Sequence, residues 1–332
     1  MTTTPIASMS MQQLLEELEA SGVPVAASTE PSGNSPRRVH REIVLRLEAA
    51  LGKADIVDII DPVVPQIAEE RAMSVAAIVR QEAIAQTDFG GHWLLNRRYG
   101  EIHGFAATEQ WSDQPTICAV NDKVSYLRHP PLISSTTHAT AFLVRSDMLA
   151  TARHCISRPL QTLCFVFDFS MITGGFCHCL FRPGDVYYPK ASAPIEGTED
   201  WALIQLDRNV EYRQPLPLAG SAAVKGGMGI CAIGHPHGLP AKYSHQSTVT
   251  RKDAKSFQSN LRVYGGNSGG PVFDADTHSV LGIASQLGSS DVTRAIQRID
   301  GRSTLLPTEP ETEGSVTCVM LDDLIAALAK AP

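Results

Sequence analysis

A mainly β fold, an antiparallel barrel or sandwich preceded by a small all-α region, is what this sequence predicts, and three features predict it. From about residue 115 the chain runs in short apolar stretches, at 116–120, 141–144, 164–169, 202–206, 229–233, 271–273 and 280–285, with Gly, Pro, Asp and Asn between them. That is the spacing of short strands joined by turns. The first 87 residues instead place apolar side chains at helical period. The stretch 318–330 sets Met320, Leu321, Leu324, Ile325 and Leu328 on one helical face, a helix that would pack against the β domain.

In chain order, Ser10 and Gln13 form a capping box ahead of Leu14, Leu15 and Leu18, and Gly22 stops that helix. A linker rich in Ser, Pro and Gly follows. Ser35 then caps a second helix with Pro36 at its first position. Val39, Ile43, Leu47 and Leu51 fall at i, i+4 spacing, and Gly52 ends it. Asp61-Pro62 and Ser74 read as further helix starts, with Ile78, Val79 and Ile84 facing inward on the last one. The region 1–87 is thus expected to be helical, and small enough that its own core is marginal unless it docks on something. It reads as a regulatory or adaptor region recruiting a protein partner through its helices, as a pro-segment, or as an extension that only adds stability. Residues 88–114 show no clean period and read as a connector, and 115–332 as the β domain.

The composition is globular, with 43% apolar and 19% charged residues, and the net charge of −7 argues against nucleic acid or an anionic membrane as partner. No apolar run approaches the roughly 20 residues that span a bilayer. The N-terminus has neither a basic nor an apolar leader region, which sets the expectation of a cytoplasmic protein. The seven cysteines show no disulfide framework. Cys177-His178-Cys179 lacks the second pair that a zinc site needs, and buried strand cysteines explain it better.

The chemistry concentrates around Gly265-Gly266-Asn267-Ser268-Gly269-Gly270-Pro271. Glycines admit positive φ and close approach of a substrate, and they leave backbone N–H groups able to converge on a developing oxyanion. Alone, such a run is also what a hairpin turn carrying a serine looks like. Two other segments change its meaning. The run 141–155 is a strand, a turn at Ser146-Asp147 and a second strand ending in Ala152-Arg153-His154-Cys155. Asp200 opens the apolar strand that begins Trp201-Ala202-Leu203. A serine hydroxyl needs a base to take its proton, and an imidazole needs a carboxylate to fix its tautomer.

These T-A-x-H-C, D-x-A-L and G-N-S-G-G-P motifs resemble those of the chymotrypsin/trypsin-like serine peptidases, and Gly234-His235-Pro236-His237-Gly238-Leu239-Pro240 is similar to the bacterial V8-like and HtrA-like branch. The resemblance covers about 115–330 and runs in the family order His, Asp, Ser. It implies a double antiparallel β-barrel with a C-terminal helix. It further implies Ser268 as nucleophile, His154 as general base and acid, Asp200 as the residue that orients it, and the N–H groups of Gly266 and Ser268 as oxyanion hole. Ser285 matches a position where the family keeps a serine beside the triad aspartate, and is equally readable as an ordinary strand residue. His235 and His237 read as loop histidines rather than ligands.

The sequence departs from the family in three places. Asn267 stands where trypsins carry the aspartate that pairs with a newly cut N-terminus, so that switch is absent. The cysteine that would pair with Cys155 in secreted relatives falls at Ala139, which fits a reducing compartment. Arg262 aligns with the base of the specificity pocket, where it would favour an acidic or uncharged residue; Tyr264, Ser285 and Leu287 complete the expected substrate-binding set. The activity implied is hydrolysis of a protein or peptide substrate by a serine endopeptidase through an acyl-enzyme, latent or highly selective in the cytosol, with no metal or organic cofactor. A non-catalytic peptide-binding pseudoprotease, or an esterase using the same triad, remains open on the sequence.

Overall fold

In the computed structural model two seven-stranded antiparallel sheets carry the fold. The structure describes residues 56–88, 90–95, 118–120, 123–125, 137–156, 159–172, 176–178, 180–263, 265–286, 294–299, 302–307 and 316–332. The helices expected over 10–22 and 35–52 lie outside the described residues.

The first sheet runs, in spatial order, Val186–Tyr187, Leu163–Phe167, Val75–Arg80, Thr137–Arg145, Met148–Thr151, Ala202–Gln205 and Ile195–Glu196. In the second, Lys242–Lys252, Gly229–Gly234, Pro271–Asp274, Val280–Gln286, Val316–Met320 and Ser256–Ser259 follow one another. Ser256–Ser259 then pairs back onto Lys242–Lys252, which closes a six-stranded barrel. Ile56–Asp58 adds to the outside of Lys242–Lys252. Register shifts between Ile230 and Ala232, between Val249 and Arg251, and between Ala284 and Gln286 give the strands the local bends that closure demands.

The continuous apolar runs of the sequence follow from burial on both faces. Along Gly229–Gly234, Ile230 and Ala232 join Val249, Phe257, Val272, Leu281 and Met320 in one cluster, while Cys231 and Ile233 turn the other way into the large core that also takes residues of the first sheet. In Leu163–Phe167, Cys164 and Val166 face one cluster and Leu163, Phe165 and Phe167 the other. The period is two, as a strand requires, but no side is polar.

The same physics corrects the expectation of a helix from Ser74. Val75–Arg80 is a strand, paired on one side with Thr137–Arg145 and on the other with Leu163–Phe167. Ile78 and Val79 are wholly buried on its opposite faces, and Ile84 opens another short strand, Ile84–Gln86. Ser74 caps nothing; its hydroxyl donates to Gln214 O at 2.7 Å. The helical region expected over 1–87 therefore does not extend through 75–86, and the β domain expected from 115 draws in strands from well before it. Asp61-Pro62 likewise starts no helix: residues 61–64 form a turn, and the short helix Gln66–Ala72 begins only after Pro65. Inside the expected connector, Trp93–Leu95 pairs with Ile84–Gln86 and with Leu180–Phe181.

At the other end, Met320 belongs to the barrel strand Val316–Met320, and the helix is only Asp322–Leu328. Leu321 and Leu324 are buried in the large core, with Ile325 and Leu328 packed against it. Ion pairs tie distant segments. Lys242 Nζ pairs with Asp58, both side chains almost fully buried, and Arg213 holds Asp168 through two hydrogen bonds of 3.1 and 2.7 Å while its guanidinium lies over the Phe167 ring. Cys155, Cys164, Cys231 and Cys318 are buried free thiols.

Candidate active site

The turn Ser146-Asp147 is held from several sides. Arg145 Nε donates to Asp147 Oδ1 at 2.6 Å, and Leu206 N to Asp147 O at 2.8 Å. The hairpin it closes delivers the chain into a 3₁₀ turn, Arg153–Ile156, so His154 stands on that turn just past the end of strand Met148–Thr151. Its side chain is about half exposed (47%), whereas the Asp200 side chain is 19% exposed.

Asp200 is met by three donors. Its Oδ1 accepts the His154 backbone N–H at 3.0 Å. Its Oδ2 accepts His154 Nδ1–H at 2.7 Å and the Ser285 hydroxyl. A carboxylate only accepts, so Nδ1 carries the proton and Nε2 is left as the basic nitrogen. Burial pushes the Asp200 carboxyl up, but the hydrogen bonds from His154 and Ser285 outweigh it and hold the group below the usual carboxylate range. The hydrogen bond to Asp200, with the Cys155 thiol adding to it, raises the imidazole above its ordinary 6.5 against the opposing effect of burial.

The loop 265–270 is shaped by its glycines. Gly266 has φ 101° and Gly269 φ 84°, values that other residues reach only with strain. Gly270 N donates to Asn267 O at 2.9 Å, closing a turn, and Gly269 N donates to Ala284 O at 2.8 Å, which lays the loop beside the strand that carries Ser285. A Cβ on Gly269 would overlap Thr151 Oγ1 and Thr140 O and lie 3.0 Å from Ala152 N. Asn267 is buried, with its Oδ1 packed on Gly234.

The chain thus brings Ser268 next to a glycine on which a Cβ would lie 3.0 Å from Ala152 N, two residues before His154, and which is bonded to Ala284, the neighbour of Ser285 on Asp200. Among the described residues the Ser268 hydroxyl makes no hydrogen bond, and neither the Gly266 nor the Ser268 amide donates to an acceptor. Free amides at a glycine turn can serve an oxyanion, and nucleophile–base hydrogen bonds often tighten only once substrate is bound.

The remaining site expectations are distributed differently. Ser285 lies on Asp200, so its hydroxyl is committed there. Arg262 is half-buried, with its carbonyl held by Ser244 Oγ at 2.7 Å. Tyr264 and Leu287 lie outside the described residues. His235 lies, as expected, in the loop that follows Gly229–Gly234, but it is buried there: Nδ1–H donates to Leu239 O at 3.0 Å, the ring stacks on Phe169, and burial pushes its pKa down to about 4. Among the described residues no group of His, Cys, Asp and Glu is placed to hold a metal ion. Thr140, which belongs to none of the motifs, is fully buried and touches the serine loop through both backbone and side chain. Its only signal in the sequence is a polar residue set inside an apolar strand.

Residues 139–283 match the family model described as a trypsin-like peptidase domain. None of the curated proteins matches. Among solved structures, that of the Vibrio cholerae VesB protease is similar to this chain at 13% identity and a TM-score of 0.47, covering 83% of this chain and 67% of that one.

Proposed function

We propose that this chain, whose residues 139–283 match a trypsin-like peptidase domain, is a serine endopeptidase working through an acyl-enzyme on Ser268. The single observation that carries the reading is the His154–Asp200 pair, bonded at 2.7 Å with Ser285 on the same carboxylate oxygen; among the described residues the Gly266 and Ser268 amides donate to no acceptor.

In this mechanism His154 Nε2 takes the Ser268 proton as Oγ attacks the scissile carbonyl carbon. The carbonyl oxygen becomes an oxyanion held by the Gly266 and Ser268 N–H groups. When the tetrahedral species collapses, Nε2 returns the proton to the leaving amine, and the acyl group stays on Ser268. A water molecule, deprotonated by the same nitrogen, then releases the acid and regenerates the hydroxyl. Asp200 stays ionised throughout and stabilises the imidazolium. Each oxyanion donor contributes on the order of 3 kcal/mol of transition-state stabilisation. The substrate is a protein or peptide, and Arg262 remains the candidate for biasing the pocket toward an acidic or uncharged side chain.

Labelling by a fluorophosphonate probe together with profiling on a proteome-derived peptide library tests the proposal. The expected result is a probe adduct on Ser268 and peptide cleavage, both lost in Ser268→Ala. Labelling with ester turnover but no peptide cleavage would mean an esterase, and neither activity in the folded protein would mean a binding module. In the cytoplasmic, latent enzyme this reading envisages, residues before Ile56 restrain the site. Removing them should raise turnover on generic peptides, and equal rates would remove that idea. The truncation has to end before Ile56, since one starting near Thr87 would delete the strands Ile56–Asp58 and Val75–Arg80.

A further inference from the structure

We propose that Thr140 is a positioning residue, one that holds the Ser268 loop in its anion-binding shape from the body of the first sheet. The inference rests on the assignment of Ser268 as nucleophile. Thr140 reaches the loop twice. Its backbone N–H donates to Ser268 O at 2.9 Å, and its hydroxyl donates to Gly266 O at 2.8 Å. The same hydroxyl accepts the His235 N–H at 3.1 Å, and the Thr140 carbonyl accepts Thr151 Oγ1 at 2.7 Å. A hydroxyl has one proton to give, and here it goes to the loop while a lone pair takes the amide of the Gly234-His235-Pro236 turn. The residue is wholly buried, so water does not substitute for it.

The two carbonyls that Thr140 holds lie on either side of Asn267 and the Ser268 amide. Gly266, at φ 101°, is the point about which an unheld loop would flip, because glycine meets little steric barrier there. Fixing the Gly266 and Ser268 carbonyls anchors the peptides on either side of the one that carries the Ser268 N–H, whose own carbonyl, Asn267 O, accepts from Gly270 N, and so restricts the rotations that would turn the Gly266 and Ser268 N–H groups away. Among the described residues no ion pair does this work: the residue before Ser268 is Asn267, uncharged and packed on Gly234. The shape of the loop is thus set when the two sheets come together, with no cut in the chain.

Thr140→Val keeps the volume and loses the hydroxyl; Thr140→Ser keeps the hydroxyl. With active sites titrated by fluorophosphonate, kcat of Thr140→Val should fall about 10- to 100-fold, less than the loss of an oxyanion donor itself, with KM within about threefold. Thr140→Ser should stay within about threefold of wild type in both. A merely structural threonine would lower the melting temperature and leave kcat per titrated site unchanged, which would overturn the proposal, as would failure of Thr140→Ser to restore the rate. Amide exchange supplies a readout independent of turnover: the amides of His235, Gly269 and Gly270 should exchange faster in Thr140→Val, and unchanged protection would overturn the proposal. If the wild type neither cleaves nor labels at Ser268, the peptidase assignment fails by itself, while exchange still decides the role of Thr140. Thr140→Ala serves in the same comparison if the valine is not accommodated.

Discussion

Replacing Lys242 by methionine should unfold this protein far more easily than any surface change, and the size of the effect follows from where the pair sits. Lys242 Nζ and Asp58 form an ion pair whose side chains are 2% and 9% exposed. It joins the strand Ile56–Asp58 to the barrel strand Lys242–Lys252, with Asp58 and Lys242 directly opposed in the ladder. Methionine fills nearly the same volume as the lysine stem but leaves the carboxylate buried without a partner, which costs about 3–5 kcal/mol. At about 2–4 °C per kcal/mol for a chain of this size, that is a drop of roughly 6–20 °C in melting temperature. The assay is urea and thermal unfolding of wild type, Lys242→Met, Asp58→Leu and the double variant. Each single variant should be strongly destabilised, and the double should recover to within about 1 kcal/mol of wild type or exceed it, since an apolar pair of similar volume needs no desolvation of charge. Single variants within about 1 kcal/mol of wild type would refute the reasoning. They would mean that the pair is solvated and that residues 56–58 are not seated on the barrel as described.

Asp200→Asn should lower kcat by about 10⁴-fold with little change in fold, because an amide no longer imposes the Nδ1–H tautomer; steady-state kinetics and circular dichroism check it. The His154 imidazole has its pKa raised above 6.5 by Asp200, and only its neutral form accepts the Ser268 proton. Hence kcat/KM should climb with pH along a limb whose midpoint lies above 6.5, and a midpoint at or below that value would contradict the geometry. Gly269→Ala demands φ 84° of an alanine and drives its Cβ into Thr140 O, so it should cost more than about 2 kcal/mol of stability and abolish labelling of Ser268.

The all-β character of residues 137–286 was legible because strands buried on both faces read as unbroken apolar runs between turns, as at 202–206 and 280–285. The same property hid Val75–Arg80. Its run Val-Ala-Ala-Ile-Val carries alanines that favour helix, and with no polar side it shows no alternation that would mark a strand. What made it one is its two partners, Thr137–Arg145 and Leu163–Phe167, the second of them more than eighty residues away. Met320 was likewise drawn into a helical pattern by Leu321 and Leu324, though the backbone of its strand pairs with Val280–Gln286.

By itself the sequence determined the kinds of groups available and their local settings: a serine among glycines, a histidine at the end of a hairpin, an aspartate opening an apolar strand. Local backbone preference is written in neighbouring residues, so such settings can be read one segment at a time. Only the tertiary structure decided which oxygen of Asp200 the imidazole meets, that Ser285 shares it, and that a buried threonine well over a hundred residues upstream carries the serine loop. Those contacts depend on two sheets sharing one core, and the free energy that selects one packing is summed over the whole core rather than held in any stretch of it.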